Sequence, residues 1–352
     1  MTEKNRPFIS FVVFAYNQQK FIRDAVEGAL SQEYAPMEII LSDDCSTDET
    51  FSIMQEMASR YSGTHEVIVR RNEFNLGFIR HVNEVFEAAR GEWVVVAAGD
   101  DISMPNRVAE IAKVVDEYPD INMVSSALMP MEENGKKKDV ACLFQGQEEP
   151  MDREVIVTGA KEFLDDNAPY VHGATLAYSK KLIQAFPPMP PDAVYEDELY
   201  KFRSIFLGNR AHVNKPLVCY RNHFHQTTNV SGKISRDLYI KNRRLATGKY
   251  VVLRQALDDL RGIDLDYFMS ARYLQRYLKS EFELCRDQYR LFLFRWPIRL
   301  FYFLFVLVSS PEAIRRMRRS QICLSIFPVT FMKALYDCLS KYKKGHANDM
   351  DD

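Results

Sequence analysis

Two adjacent carboxylates, Asp100 and Asp101, directly follow an uncharged apolar run at 94–98. The Val and Ala residues of this run are typical of a strand buried on both faces, and Gly99 allows the chain to turn at its end. Both carboxylates then lie at the rim where open α/β sheets bind ligands. Neighbouring carboxylates repel each other, and a divalent cation with oxygen ligands would relieve that repulsion. The alternative is a pair that caps the helix predicted at 106–117.

Polar residues also follow two other predicted strands. These clusters are Tyr16 and Asn17 after the strand at 8–14, and Asp43 and Asp44 after the strand at 37–41. The carboxyl ends of parallel strands lie along one edge of a sheet, so we expect all three clusters to converge. No G-x-G-x-x-G or G-x-x-x-x-G-K-[ST] segment follows any predicted strand, which argues against a dinucleotide fold and a P-loop. An acidic sheet edge that meets a phosphate needs a metal ion between them.

Strand and helix patterns alternate over the first part of the chain. We predict strands at 8–14, 37–41, 67–69, 94–98 and 122–127, with helices at 20–32, 49–61, 78–90 and 106–117 between them. This alternation indicates βαβ units and an α/β fold with a mainly parallel sheet. After a charged loop or hairpin at 130–152, we predict strands at 171–178 and 212–220. A helix between these strands is expected to begin near Glu196 and to stop at Gly208.

The pattern changes after Ser231, where strand signals disappear and long helical patterns follow. The longest apolar run, 300–308, is too short to span a bilayer, and Arg residues lie on both sides of it. From 241 onward the chain has 21 Lys and Arg against 12 Asp and Glu. We therefore predict a helical region at 231–352 that contacts an anionic membrane surface through 289–320. The alternatives are packing against the sheet domain and a homo-oligomer interface.

The composition excludes several classes of protein. The 352 residues are 47% hydrophobic and 27% charged, as in globular proteins. Six scattered cysteines without a C-x-x-C pair argue against a zinc site or disulfide framework and for a reducing compartment, and no apolar segment suggests a signal peptide at the N-terminus. We therefore expect a cytoplasmic protein. The first 240 residues contain 36 acidic against 25 basic side chains, which disfavours nucleic-acid binding.

The motifs together resemble glycosyltransferase family 2, whose members are inverting nucleotide-sugar transferases of the GT-A fold. The matching segments are A-Y-N, S-D-D-C-S-T-D, N-L-G, G-E-W, A-A-G-D-D, the Glu196–Asp197 pair and Y-R-N-H. The resemblance covers roughly residues 8–229 and implies a mixed, mainly parallel, Rossmann-like sheet flanked by helices. It assigns 1–230 to nucleotide-sugar binding and catalysis, and it has no counterpart for 231–352.

The resemblance implies that the first two clusters bind the nucleotide. Tyr16, between Ala15 and Asn17, would stack on a uracil or thymine ring. Asp44 would accept a hydrogen bond from the N3–H group of that base, and Asp43 would help to shape the pocket. These residues predict a UDP-sugar or dTDP-sugar donor.

The resemblance also implies a metal site for Mg²⁺ or Mn²⁺. Asp101 would be the direct ligand, and Asp100 would approach the ribose or the metal. His223 would contact the metal or the diphosphate, and Arg80 would lie near the base or the diphosphate. Many family members carry D-x-D-D, whereas Ala98 replaces the first Asp here, so we expect weak metal affinity.

Asp197 matches the catalytic base of the family, and Glu196 beside it is expected in the donor site. Asp197 would remove the proton of an acceptor hydroxyl as its oxygen attacks the anomeric carbon. The expected function is sugar transfer to a glycan or a lipid-linked acceptor in cell-surface polysaccharide synthesis, at the inner membrane face. The alternative is a non-catalytic nucleotide-sugar-binding scaffold, which the substitution at Ala98 motivates. A nucleotidyltransferase would need a glycine-rich basic loop after the first strand, and 15–18 is not one.

Overall fold

The computed structural model describes residues 6–137, 154–164, 168–169, 171–223, 236–262, 275–283 and 286. The chain divides into two compact units. The first contains Met1–Pro191, Tyr195–Gln226 and Gln255–Gln275, and the second contains Asp192–Val194, Thr227–Arg254 and Arg276–Asp352. The helical region predicted at 231–352 therefore contributes one segment to the first unit.

Nine described strands form one mixed sheet. They are β1 (Ile9–Ala15), β2 (Met37–Asp43), β3 (Glu66–Arg71), β4 (Trp93–Ala98), β5 (Ile102–Ser103), β6 (Ile121–Glu132), β7 (Val155–Thr158), β8 (Ala177–Ser179) and β9 (Asn209–Asn222). The order is β3-β2-β1-β4-β8-β6-β9-β5, and β7 pairs with β9. Strands β3, β2, β1 and β4 are parallel, whereas β8 is antiparallel to both of its neighbours.

Helices connect and cover the strands. They are α1 (Ile22–Leu30), α2 (Thr50–Arg60), α3 (Phe78–Ala88), α4 (Arg107–Glu117), α5 (Ala160–Leu164), α6 (Lys180–Gln184), α7 (Glu196–Leu207) and α8 (Arg236–Arg261). Buried apolar residues of α1, α2 and α4 join the inward side chains of β1, β2 and β4 in one core, because their apolar positions recur at helical spacing. The predicted α/β fold with a mixed, largely parallel sheet is confirmed.

One predicted strand, 171–178, is wrong for most of its length. A single 3-10 turn at Gly173–Thr175 precedes the short β8. His172 provides local hydrogen-bond partners: its Nδ1 accepts from the Ala174 amide at 3.4 Å, and its carbonyl accepts from the Thr175 hydroxyl at 2.9 Å. Side chains that bond to nearby backbone compete with strand pairing, and sequence alternation does not reveal this.

The C-terminal predictions are tested only in part. Helix α8 agrees with the helical pattern predicted after Ser231. The proposed membrane segment at 289–320 lies outside the described residues. Among the helices that the structure describes, none combines the length and the apolar character needed to cross a membrane.

Candidate functional site

The carboxyl ends of β1, β2 and β4 lie level with one another at one edge of the sheet. Phe14 is paired in register with Ala98, and Ala15 is paired with Asp43. Beyond the last pairs, the amide of Asp44 donates to the Ala15 carbonyl at 2.9 Å, and the amide of Gly99 donates to the Phe14 carbonyl at 2.9 Å. The three polar clusters therefore converge as the strand pattern predicts.

Asn17 and Asp43 hold together the loops that follow β1 and β2. The Asn17 amide donates to the Ser46 hydroxyl at 2.8 Å, and its side-chain oxygen accepts from the Thr47 amide at 2.8 Å. The buried Asp43 carboxylate accepts from the amide of Ser46 at 2.9 Å and lies 3.3 Å from Nε of Arg71. Both side chains therefore shape this end of the sheet.

The Asp44 carboxylate is buried against the segment that leads into α3. It accepts hydrogen bonds from the side-chain amide of Asn72 at 2.8 Å and from the backbone amides of Leu76 and Gly77 at 2.9 Å each. Gly77 has φ of 78°, a conformation in which a residue with a Cβ is strained. An ionised carboxylate has about four acceptor positions, so one remains for a ligand.

Exposed aromatic and basic side chains lie at the start of α3 and at the end of β1. Tyr16 is 45% exposed and immediately follows β1. Phe78 is also exposed, with its ring centroid 6.2 Å from that of Phe14, and Arg80 is exposed in the first turn of α3. A planar ring at the sheet edge offers a free face for stacking.

The acidic pair after β4, Asp100 and Asp101, is more deeply enclosed than the predicted position at the rim of the sheet implies. Asp101 is 4% exposed, and its Oδ1 accepts from the Arg221 amide at 2.8 Å. Burial, followed by the charge of Asp100, raises the pKa of Asp101 well above its usual value. The Asp100 side chain is 14% exposed, and its Oδ2 lies 2.9 Å from Nε2 of His223. Helix α4 begins six residues later, with Asn106 as its N-cap residue, so neither carboxylate caps it.

These residues fit a divalent cation in their chemistry. Oδ2 of Asp101 and Nδ1 of His223 are buried and have no hydrogen-bond partner among the described residues. A cation at Asp100 would offset the repulsion between two adjacent carboxylates. Within the described part of the chain, no group of three or more His, Cys, Asp and Glu is already gathered as a metal cluster.

Two buried arginines support the acidic pair. Arg221 lies in the Y-R-N-H segment, but the sequence analysis assigned a role to neither arginine. Arg107 donates to the carbonyls of Val96 at 2.8 Å and Ala174 at 3.1 Å, and burial lowers its pKa to about 9. Arg221 donates from Nε to the Asp100 carbonyl at 2.9 Å and from Nη2 to Asp24 at 2.7 Å. The sequence signal for Arg107 was a charged residue at an inward position of a helix, and the signal for Arg221 was its place in the Y-R-N-H segment.

Glu196 and Asp197 lie in the first turn of α7 and face the backbone of the 173–175 turn. A Cβ atom built on Gly173 would lie 3.2 Å from Oε1 of Glu196 and 3.3 Å from Oδ2 of Asp197. Burial, followed by Asp197, raises the pKa of Glu196 to about 8. Burial, followed by Glu198, raises the pKa of Asp197 to about 6. A carboxylate with a pKa near neutrality is suited to proton transfer.

The 173–175 turn connects the two acidic groups. Arg107, whose charge acts on Asp101, donates to the Ala174 carbonyl. The adjacent Gly173 faces Glu196 and Asp197. The structure therefore brings the pair after β4 and the pair on α7 to the same short segment, although they are almost 100 residues apart in the sequence.

A mixed sheet flanked by helices, with acidic pairs at the carboxyl ends of its strands, is the arrangement of the GT-A class of nucleotide-sugar-binding proteins. The family model described as Glycosyl transferase family 2 matches residues 10–185, which is half of the chain. This chain belongs to glycosyl transferase family 2.

The chain is also similar to a relative in sequence and to solved structures in fold. Rv1520 of Mycobacterium tuberculosis is 27% identical over 219 residues, which is 62% of this chain and 59% of that protein. The chain thus spans about three fifths of that relative's length. S. aureus TarS 1–349 in complex with UDP aligns with a TM-score of 0.51 and 16% identity over 87% of this chain and 89% of that one. The mannosyltransferase PcManGT from Pyrobaculum calidifontis, in complex with GDP-Man and Mn²⁺, aligns with a TM-score of 0.51 and 16% identity over 94% and 88%.

Proposed function

We propose that this chain transfers a sugar, with inversion, from a nucleotide-sugar to a hydroxyl group of an acceptor. The observation that carries the proposal is the link between two acidic groups through one turn. The charge of Arg107 acts on Asp101, and Arg107 donates to the Ala174 carbonyl. Asp197 faces Gly173 in the same turn. Sugar transfer needs two functional groups near each other. One neutralises the leaving diphosphate of the donor, and the other removes the proton of the acceptor hydroxyl.

The donor is proposed to be a UDP-sugar or a dTDP-sugar. Tyr16 would stack on the pyrimidine, and the remaining acceptor position of Asp44 would take its N3–H. Asp43 and Asn17 would keep the loop in shape, and Arg80 would approach the diphosphate. TarS was solved with UDP and PcManGT with GDP-Man, so guanosine donors belong in the same test.

A divalent cation, Mg²⁺ or Mn²⁺, would be held by Asp100, Asp101 and His223. When bound, it would neutralise the charge that develops on the leaving nucleoside diphosphate. Asp100 is the most accessible of the three, and Asp101 and His223 would contribute their unpaired Oδ2 and Nδ1 atoms. The Mn²⁺ in the PcManGT complex supports a divalent cation in this fold.

Asp197 is proposed as the base. Its carboxylate takes the proton of the acceptor hydroxyl while the acceptor oxygen forms a bond to the anomeric carbon. The bond from that carbon to the diphosphate oxygen breaks, and its electron pair leaves with the nucleoside diphosphate. A single displacement inverts the anomeric centre, and Glu196, which faces Gly173 together with Asp197, would lie beside the reacting groups.

The acceptor is proposed to be a glycan or a lipid-linked sugar in cell-surface polysaccharide synthesis, reached from the cytoplasmic face of the membrane. The basic composition from 241 onward supports attraction to an anionic surface. The second candidate is a nucleotide-sugar-binding scaffold without turnover, because Ala98 removes one carboxylate of the family's usual acidic motif.

One experiment separates these functions. Release of the nucleotide from labelled UDP-, dTDP- and GDP-sugars is measured with Mn²⁺ and a panel of simple glycosides as acceptors. We expect turnover by the wild type, and a loss of about 10²–10⁴-fold in Asp197→Asn with unchanged UDP affinity by calorimetry. Asp116→Asn, an exposed position on α4, is the matched control. UDP binding without turnover in the wild type would favour the scaffold.

A further inference from the structure

The ring of Phe21, the N-cap residue of α1, lies against the end of β9 and the residue that follows it. Its centroid is 4.9 Å from that of the His223 ring, and the guanidinium carbon of Arg221 lies 5.0 Å from the same centroid. These two partners are two residues apart on an extended segment, so their side chains are on the same side of it. One aromatic ring therefore contacts both side chains through which this segment reaches Asp100.

Arg221 is held in place by contacts with three other parts of the chain. Its Nε donates to the Asp100 carbonyl at 2.9 Å. Its terminal nitrogens donate to the Glu133 carbonyl at 2.8 Å and to the Asp24 carboxylate at 2.7 Å. Asp24 belongs to the first turn of α1, so this carboxylate and the aromatic ring come from the same end of one helix. The start of α1 therefore fixes the end of β9 over the acidic pair.

The orientation of the His223 ring decides which of its nitrogens is available to a cation. Nε2 lies 2.9 Å from Oδ2 of Asp100, and a carboxylate accepts, so a neutral ring carries its proton on Nε2 and has a lone pair on Nδ1. The His223 side chain is 6% exposed, and its Nδ1 is buried without a hydrogen-bond partner among the described residues. Histidine ligands of metals commonly donate their other ring N–H to a carboxylate, which fixes the tautomer and the ring plane.

We propose that Phe21 is a positioning residue whose ring holds the imidazole of His223 against Asp100, so that Nδ1 stays available to a divalent cation. This inference rests on the proposed function, because it concerns the proposed cation site. Contacts between aromatic rings depend on the angle and offset of the two planes. An aliphatic side chain at this position would fill space without fixing the plane of the imidazole. The inference adds a residue that influences the cation without providing a ligand atom.

Binding of Mn²⁺ alone, measured by electron paramagnetic resonance, tests the inference without turnover. Phe21→Leu keeps an apolar side chain and removes the ring, and we expect its Mn²⁺ affinity to fall about tenfold, as when other residues that orient metal ligands are replaced. Phe21→Tyr keeps a ring and should bind Mn²⁺ like the wild type. Phe51→Leu is the matched control, because it removes a ring that lies 5.1 Å from the guanidinium carbon of Arg71 and should leave Mn²⁺ affinity unchanged.

Pulsed paramagnetic resonance separates a misplaced imidazole from a general loss of structure. Mn²⁺ bound to the wild type should show nitrogen-14 coupling from an imidazole, and His223→Gln should lose it. At saturating Mn²⁺, Phe21→Leu should bind the ion with weaker coupling, while its UDP affinity without metal stays the same. Unchanged affinity and coupling in Phe21→Leu would overturn the inference, and so would an equal loss in Phe51→Leu.

The role of Phe21 and the proposed reaction can fail separately. A wild type that binds Mn²⁺ through His223 and depends on Phe21 for it, yet transfers no sugar, would refute only the reaction. Sugar transfer by the wild type, with normal Mn²⁺ binding by Phe21→Leu, would refute only the role of Phe21. A wild type that binds no Mn²⁺ would overturn the role of Phe21 whether or not it transfers sugar.

Discussion

The proposed donor side and the proposed acceptor side of the site contain the same kind of residue in opposite surroundings. Asp44 on the donor side accepts three hydrogen bonds, two of them from backbone amides. Glu196 and Asp197 on the proposed acceptor side have raised pKa values, because burial outweighs the hydrogen bonds that they accept from nearby backbone amides. Hydrogen-bond donors hold the Asp44 carboxylate in the framework, whereas burial makes Glu196 and Asp197 easier to protonate.

The largest expected effect comes from removing the charge of Glu196. Its pKa of about 8 lies above the value in an unfolded chain, so the folded state holds a proton that the unfolded state has lost. This group makes its full contribution to stability below the pKa that it has in the unfolded chain. The contribution disappears as pH rises through about 8, its pKa in the folded state. Glu196→Gln should therefore stabilise the protein by about 2 kcal/mol or more at pH 8 and by little at pH 4.

Urea unfolding at both pH values measures this difference. Glu33→Gln, at an exposed position, is the control and should change stability equally little at either pH. A Glu196→Gln variant that is no more stable than the wild type at pH 8 would contradict the conclusion that burial outweighs hydrogen bonding at Glu196.

The opposite result is expected for Asp44 on the donor side. Asp44→Asn replaces a carboxylate oxygen with an amide group that cannot accept from both Leu76 and Gly77. We expect a loss of about 1–3 kcal/mol in the free energy of unfolding at pH 7, together with weaker UDP binding. Urea unfolding and calorimetry measure the two effects, with Asp116→Asn as the exposed control. A neutral Asp44→Asn would show that the hydrogen bonds of this carboxylate do not hold the loop.

The smallest effect on the fold is expected at Tyr16, which is 45% exposed. Tyr16→Ala should leave urea unfolding unchanged but weaken UDP binding by about 1–3 kcal/mol, the range for stacking of a base on an aromatic ring. Phe74→Ala removes another exposed aromatic residue and should leave UDP affinity unchanged. Equal losses in both variants would argue against a stacking role specific to Tyr16.

Much of the donor side was predictable from the sequence, because its information is local. The apolar run before Asp100 and Asp101, and the strands before Asn17 and Asp43, are continuous segments whose ends can be read directly. Parallel strands in register then bring these ends together without further information, as the pairing of Ala15 with Asp43 confirms. The roles of these residues toward a donor remain predictions.

The tertiary structure alone decided how the acidic pairs are supported. Arg221 meets Asp101 across 120 residues of sequence, and Arg107 meets Ala174 across 67. The 173–175 turn replaced a predicted strand because His172 bonds to its own neighbours. Periodicity and motif spacing describe a segment by itself, whereas burial and hydrogen bonding depend on which distant segment packs against it. The sequence by itself thus determined the family, the sheet and its acidic edge, and the packing decided which carboxylates are held by backbone amides and which have raised pKa values.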